Sequence, residues 1–143
     1  TYTAERGMGA KYNGKEIKTS NITDLEEAII SVDLSRKPNA IELVIPVLKR
    51  VKSMRSLGSA ALEICHVASG KLDAHVDVRG IIRTTDIAAS TLIVKEAGGV
   101  ILKPDGRNLD DVPLTTVSRL SLIAAANMDL YNRIRSLLPI LRR

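Results

Sequence analysis

The sequence predicts an α/β protein, a layered sheet with helices on both faces. Three observations carry this. From Leu25 onward, short apolar runs alternate with segments whose apolar residues recur at helical spacing. Capping residues, Ser59 and Asn127, stand where helical runs begin, and glycines, Gly70 and Gly98, where they end. The chain has 143 residues, 45% of them hydrophobic, which suffices for one domain with a packed core.

Residues 1 to 19 read as strand, turn, strand. Gly7 and Gly9 bracket one turn, and Asn13-Gly14 is a strong hairpin signal. This pair has too few apolar residues to stand alone. Ala28 to Asp33 is a short apolar strand. Asn39 is placed to cap a helix carrying Ile41, Val44, Ile45, Leu48 and Val51, with Pro46 imposing a kink or a late start. Met54 to Leu57 is a brief strand. Ser59 caps a helix ending at Gly70 that is apolar on nearly all sides and therefore buried. Ala74 to Val78 is the next strand.

A helix holding Asp86 follows and ends on Gly98-Gly99. Then come a strand over Val100 to Lys103 and a Pro104-Asp105-Gly106 turn. Residues 105 to 118 read as loop. Ser121 to Ala125 is the last strand. Asn127 caps a final helix with Leu130, Ile134, Leu137, Leu138 and Leu141 on one stripe, loosened at its end by Pro139.

Composition narrows the function classes. No apolar run approaches the roughly 20 residues of a membrane span. The opening residues lack the form of a signal peptide. A lone cysteine, Cys65, cannot form an internal disulfide, which points to a soluble cytoplasmic protein. The net charge of +5 and pI near 9.6 suit an anionic partner. The basic residues are dispersed, however, and there is no Phe or Trp to stack bases, so single-stranded nucleic acid is disfavoured.

Taken singly, the polar residues read as structure. Asp86 is a helix N-terminal acid, and Gly58-Ser59 a strand-to-helix turn. Arg79 and Arg83 read as strand-edge charges. His66 and His75 lack ligand-like spacing and read as structural. Glu63 is unusual on an apolar helix, and one solvent edge would account for it. Asp73 and Asp77 share a strand face, where solvation competes with metal chelation.

Their order along the chain is more informative. Arg55-Ser56-Leu57-Gly58-Ser59-Ala60-Ala61-Leu62 is followed by Ala68-Ser69-Gly70-Lys71-Leu72-Asp73-Ala74, by Val76-Asp77-Val78-Arg79, and by Asp86-Ile87-Ala88-Ala89 with Glu96-Ala97-Gly98-Gly99. This series resembles the C-terminal half of the inositol monophosphatase family, within the Mg-dependent, lithium-sensitive phosphatases. The opening Arg6-Gly7-Met8-Gly9-Ala10 and Asn13-Gly14 resemble that family's middle hairpin. Arg79 is in the style of the archaeal-type inositol monophosphatase/fructose-1,6-bisphosphatase enzymes.

The resemblance implies the C-terminal domain of the sugar-phosphatase fold. Residues 1–20 would be a β-hairpin belonging to the N-terminal domain sheet, and 25–143 the C-terminal α/β domain. It implies Mg²⁺-dependent hydrolysis of an inositol phosphate or sugar phosphate. Asp86 would be a metal ligand; Gly58, Ser59, Ala60 and Arg79 would line the substrate pocket.

There are departures. Thr85 stands where the family has Trp or another large residue, and Ser90 where glycine or alanine is common. The family's glutamate pair and Asp-Pro-(Ile/Leu)-Asp-Gly-Thr motif, which supply its other metal carboxylates, do not occur in these residues, Glu26-Glu27 having the wrong setting. The expected partner is therefore a missing N-terminal half of the enzyme, and the segment alone is expected to be inactive. Homodimers are usual in the family. The rival reading is a non-catalytic partner-binding or oligomerisation domain derived from it.

Overall fold

A computed structural model of the chain describes residues 1–115 and 117–139. Leu141, expected on the last helical stripe, lies outside the described residues. The opening segment holds one strand more than the expected hairpin. Strands β1 (Tyr2–Ala4), β2 (Ala10–Tyr12) and β3 (Lys15–Ile17) form an antiparallel meander in that order. Asn13 and Gly14, both at positive φ, make the tight turn between β2 and β3. The turn bracketed by Gly7 and Gly9 and the Asn13-Gly14 turn each join a separate pair of strands.

The second sheet has five strands in the order β5-β4-β6-β8-β7. These are β4 (Ile29–Val32), β5 (Ser53–Arg55), β6 (Ala74–Arg83), β7 (Val100–Leu102) and β8 (Arg119–Ala125). β4 runs parallel to β5 and β6, whereas β8 is antiparallel to β6 and β7. Four helices connect them: α1 (Ile41–Leu48), α2 (Ala60–Ala68), α3 (Thr84–Glu96) and α4 (Met128–Leu137).

Strand periodicity sorts the side chains of β6 into two layers. Ala74, Val76 and Val78 join Val44 and Val47 of α1 and Leu130, Tyr131 and Ile134 of α4 in one buried cluster. The other cluster gathers Ile64, Val67 and Ala68 of α2, Ile87, Ile93 and Val94 of α3, and Ala10 of β2. Thus α1 and α4 cover one face. α2 and α3 cover the other, and the small sheet packs outside them. The fold class is as expected.

Local departures have identifiable causes. Asn39 does not cap α1. It lies inside a 3-10 turn, Pro38–Ala40, that leads directly into the helix, and no side chain caps that end. Ser59 and Asn127 do cap: Ser59 Oγ accepts from Leu62 N–H at 3.3 Å and Asn127 Oδ1 from Leu130 N–H at 2.9 Å. Leu62 is exposed rather than buried, so α2 has a wet side after all. Helix α3 begins at Thr84. Its N-cap is Arg83, and Asp86 is the third helical residue. β5 ends at Arg55, two residues short of the expected strand, as the chain turns toward Gly58.

β6 is twice the expected length and irregular. Asp77 pairs with Leu122 but Ile82 with Leu120, so the residues between them bulge out of the ladder. Arg79 lies in that bulge. Asp73 is not solvated at a loop edge. Its buried carboxylate accepts from Ile29 N–H at 2.8 Å and from the Ser20 hydroxyl, tying β4 and the segment after β3 to the start of β6.

Candidate active site

The parallel strands β5, β4 and β6 end at one side of the sheet, where a cleft of about 600 Å³ opens. Clefts in open α/β sheets form at such carboxyl ends because successive connections diverge there. Each element contributes a short piece. Asp33, Ser35 and Arg36 come from the chain after β4, Gly58, Ser59 and Ala60 from the start of α2, and Arg79 and Arg83 from β6. Asp86 of α3 and Arg119 of β8 complete the rim. All five residues named from sequence, Gly58, Ser59, Ala60, Arg79 and Asp86, therefore line the same concavity.

Gly58 has φ +77°, a backbone state that a side chain disfavours, and it turns the chain from β5 into α2. The first-turn N–H groups of a helix have no intrahelical acceptor, and those of α2 lie at the cleft. Ser59 satisfies one of them, at Leu62, and leaves the cleft side free of bulk.

Arg79 is held more tightly than an edge charge. Its side chain is 8% exposed. Nε and Nη2 donate to the two oxygens of Asp77 at 2.9 and 2.6 Å, a bidentate pair. Nη2 also lies 3.1 Å from Asp33 Oδ2, and Nη1 donates to Ser35 O and Oγ at 2.8 and 3.0 Å. Four hydrogen bonds and one further ion pair thus surround the guanidinium. The resemblance leads one to expect a donor to substrate. In this arrangement Arg79 is a charge-compensated strut between Asp77, Asp33 and Ser35, and its Nη1 reaches a ligand only where Ser35 yields.

The hydrogen bond to Asp77 holds the Arg79 guanidinium above its ordinary pKa. For Asp33, burial opposes ionisation. The Ser35 backbone and hydroxyl donors and the Arg79 charge outweigh it, and the carboxyl sits below its ordinary value.

Asp77 is fully buried, bonded to Arg79, and is neither solvated nor part of a chelate with Asp73. His75 is buried too: Nδ1 is 2.7 Å from Ser31 Oγ, and burial lowers its pKa to about 4, so the ring is neutral at pH 7. Glu63 has no solvent edge at all. Sequence reasoning missed Asp33, Ser35, Arg36 and Arg119 as cleft residues. The only signal was an aspartate closing an apolar strand, followed two residues later by a serine that it accepts from.

Asp86 is different. It stands at the rim with its side chain 49% exposed, and Oδ2 accepts from Arg83 Nε at 2.9 Å. A hard cation takes several oxygen ligands. Among the described residues no group of three or more His, Cys, Asp or Glu converges as a metal-binding set. A single carboxylate such as Asp86 could not hold such an ion by itself.

The inositol monophosphatase family model matches residues 1–140. The chain is 38% identical over 141 residues to a fructose-1,6-bisphosphatase/inositol-1-monophosphatase of Methanothermobacter thermautotrophicus, covering 98% of this chain and 49% of the relative. It is 42% identical over 132 residues to a fructose-1,6-bisphosphatase of Pyrococcus furiosus, covering 92% and 49%. Its fold is similar to the crystal structure of inositol monophosphatase II from Staphylococcus aureus, with a TM-score of 0.83, 28% identity, and coverage of 98% and 52%. The chain thus spans about half the length of the relatives it matches. On the family match and these identities, the chain belongs to the inositol monophosphatase family.

Proposed function

We propose that this chain supplies one part of a phosphate monoesterase site for an inositol phosphate or sugar phosphate. The observation that carries this is the convergence of Gly58, Ser59, Ala60, Arg79 and Asp86, scattered over 29 residues, on a single cleft rimmed by four arginines. A cleft of that charge favours a phosphorylated ligand. The relatives named above carry the activity in their names, and the reading extends it to the part of the fold present here.

Roles follow from placement. The first-turn N–H groups of α2 and the small residues Gly58 and Ala60 let a phosphate or polyol approach the backbone closely. Arg79 holds Asp33 and Ser35 in place at the cleft wall. Asp86 offers an oxygen to Mg²⁺ at the rim. When bound, Mg²⁺ supplies activation of the attacking water and stabilisation of the leaving oxygen. The remaining ligands come from the half of the family fold that these residues do not cover, so the segment alone is inactive.

The test is phosphate release from inositol 1-phosphate and from fructose 1,6-bisphosphate with Mg²⁺. Activity is expected only when the complementary half is present. Robust Mg²⁺-dependent turnover by these 143 residues alone overturns the shared-site reading.

A second reading, a non-catalytic partner-binding module, is favoured by one observation. Met54, Leu57 and Leu62 are 44%, 49% and 42% exposed within nine residues, a local run of exposed apolar side chains. Gel filtration separates the readings: a well-behaved monomer that turns over substrate once completed by its other half speaks against a purely structural role. The same measurement decides whether the chain forms the homodimer expected from its family.

A further inference from the structure

Glu63, the fourth residue of α2, has no place in the mechanism above, yet it is fully buried directly behind the cleft. Its Oε1 accepts from Leu57 N–H at 2.7 Å, reaching back from the helix to the turn that carries Gly58 and Ser59. Its Oε2 has no hydrogen-bond partner and lies 3.6 Å from His75 Nδ1. His75 Nε2 is likewise unpartnered. Two unpaired polar atoms on adjacent buried side chains are costly unless one carries a proton that relieves the charge.

The surrounding charges say which. β6 presents His75, Asp77 and Arg79, and the end of β4 presents Ser31 and Asp33. Asp33 and Asp77 already share one guanidinium, so an ionised Glu63 makes a third buried carboxylate against a single cation. Among the described residues no other cation acts on Glu63. α3, packed against α2, sends Asp86 to Arg83, Lys95 to Asp110 and Glu96 to Gly9 N–H. His66, on α2 itself, has its own pKa lowered by burial and by Lys71. Burial first, then the two aspartates, push the Glu63 carboxyl above its ordinary value against the Leu57 hydrogen bond and Arg79.

We propose that Glu63 is a neutral, proton-bearing positioning residue. Its Oε1 pins the Leu57–Ser59 turn at the mouth of the cleft, and the proton on Oε2 keeps a third negative charge from standing behind the bound phosphate. The second clause rests on reading the cleft as a phosphate site; the first does not.

The experiment is a pH titration of the ¹³C,¹⁵N-labelled chain by NMR, following the Glu63 side-chain carboxyl and the amides of Leu57, Ser59 and Ala60. The carboxyl should titrate above the ordinary glutamate value, with the Leu57 and Ser59 amides moving at the same midpoint. In Glu63→Gln, which mimics the protonated acid, those amides should hold their low-pH positions throughout. In Glu63→Leu, hydrogen exchange at Leu57 should rise about tenfold, the loss expected for one buried hydrogen bond. A Glu63 carboxyl titrating at or below its ordinary value overturns the proposal. So do Leu57 and Ser59 amides that ignore its titration. If neither variant folds, the wild-type titration alone decides.

A second arm adds inorganic phosphate. Its affinity, read at the Ser59 and Ala60 amides, should fall as Glu63 ionises in the wild type and show no such step in Glu63→Gln. Failure of phosphate to shift these amides at any pH sinks the phosphatase reading, while the Leu57 titration still decides whether Glu63 positions the turn.

Discussion

The two sides of the cleft are built on opposite plans. On the β6 side, Asp77 is fully buried, Arg79 nearly so, and the guanidinium makes four hydrogen bonds and two ion pairs. On the α3 side, Asp86 and Arg83 form a single ion pair with side chains 49% and 53% exposed. A buried bidentate pair cannot move without leaving charge uncompensated in low dielectric. An exposed pair three residues apart on one chain contributes little and exchanges easily. The β6 side is a fixed scaffold. The α3 side is left adjustable, as a carboxylate must be if groups outside this set complete its coordination.

The largest effect should come from breaking the fixed side. Arg79→Met removes the cation shared by Asp77 and Asp33 and frees Ser35. The expected loss is about 3–5 kcal/mol of stability, typical of a buried pair deprived of one partner. Urea denaturation measures it. Adding Asp77→Asn to Arg79→Met should recover part of the loss, because the coupling belongs to the pair. A loss below about 1 kcal/mol for Arg79→Met would contradict the rigidity assigned to this side.

Next is acid. His75 behind the same side is neutral in the fold, with a pKa of about 4 against an ordinary 6.5. The unfolded chain therefore binds more protons between these values. Stability is fully present above pH 6.5 and falls as pH drops toward 4, by about 3 kcal/mol if the whole shift is expressed. Asp33, with its lowered pKa, adds a further loss below 3.8. Glu63 works in the opposite sense, its raised pKa costing stability as pH rises above 4.5. In His75→Gln the slope between pH 6.5 and 4 should flatten; an unchanged slope would place the acid sensitivity elsewhere.

This contrast also explains what could be read from sequence. Local chemistry was legible: the Asn13-Gly14 turn, the Ser59 and Asn127 caps, and the apolar strands at 29–32 and 100–102. Asp86 was legible through its motif, since the exposed side of the cleft is local in sequence. On the buried side the place of Arg79 was legible through the same resemblance, but its partners were not. Arg79 meets Ser35 and Asp33 across more than 40 residues, and Asp77 and Arg79 look like the ragged end of a strand when only their neighbours are known. Glu63 was opaque for the same reason. A lone acid on an apolar helix reads as a wet edge until His75, Asp77 and Asp33 are seen to enclose it.

A smaller effect tests the turn between the two sides. Ser59→Ala removes the cap on α2, and the expected cost is about 1 kcal/mol. Thermal unfolding reads it. Because Gly58 and the Glu63–Leu57 hydrogen bond still hold the turn, the Leu57 amide should remain protected, and loss of that protection would make the cap, not Glu63, the element that positions the turn.

The smallest change in stability is expected where the functional change is greatest. Asp86→Asn and Arg83→Ala each remove an exposed ion pair, and each should leave stability within about 0.5 kcal/mol of the wild type. Their effects on activity should then diverge. With the complementary half supplied, Asp86→Asn keeps the size of the side chain but loses the anionic ligand, so Mg²⁺-dependent hydrolysis should be abolished. Arg83→Ala releases the same carboxylate from a competing cation, so the Mg²⁺ concentration for half-maximal activity should fall or stay unchanged. Equal losses in the two variants would mean that Arg83 itself works on the substrate and that Asp86 serves only to aim it, which would move the adjustable side of the cleft from metal binding to anion binding.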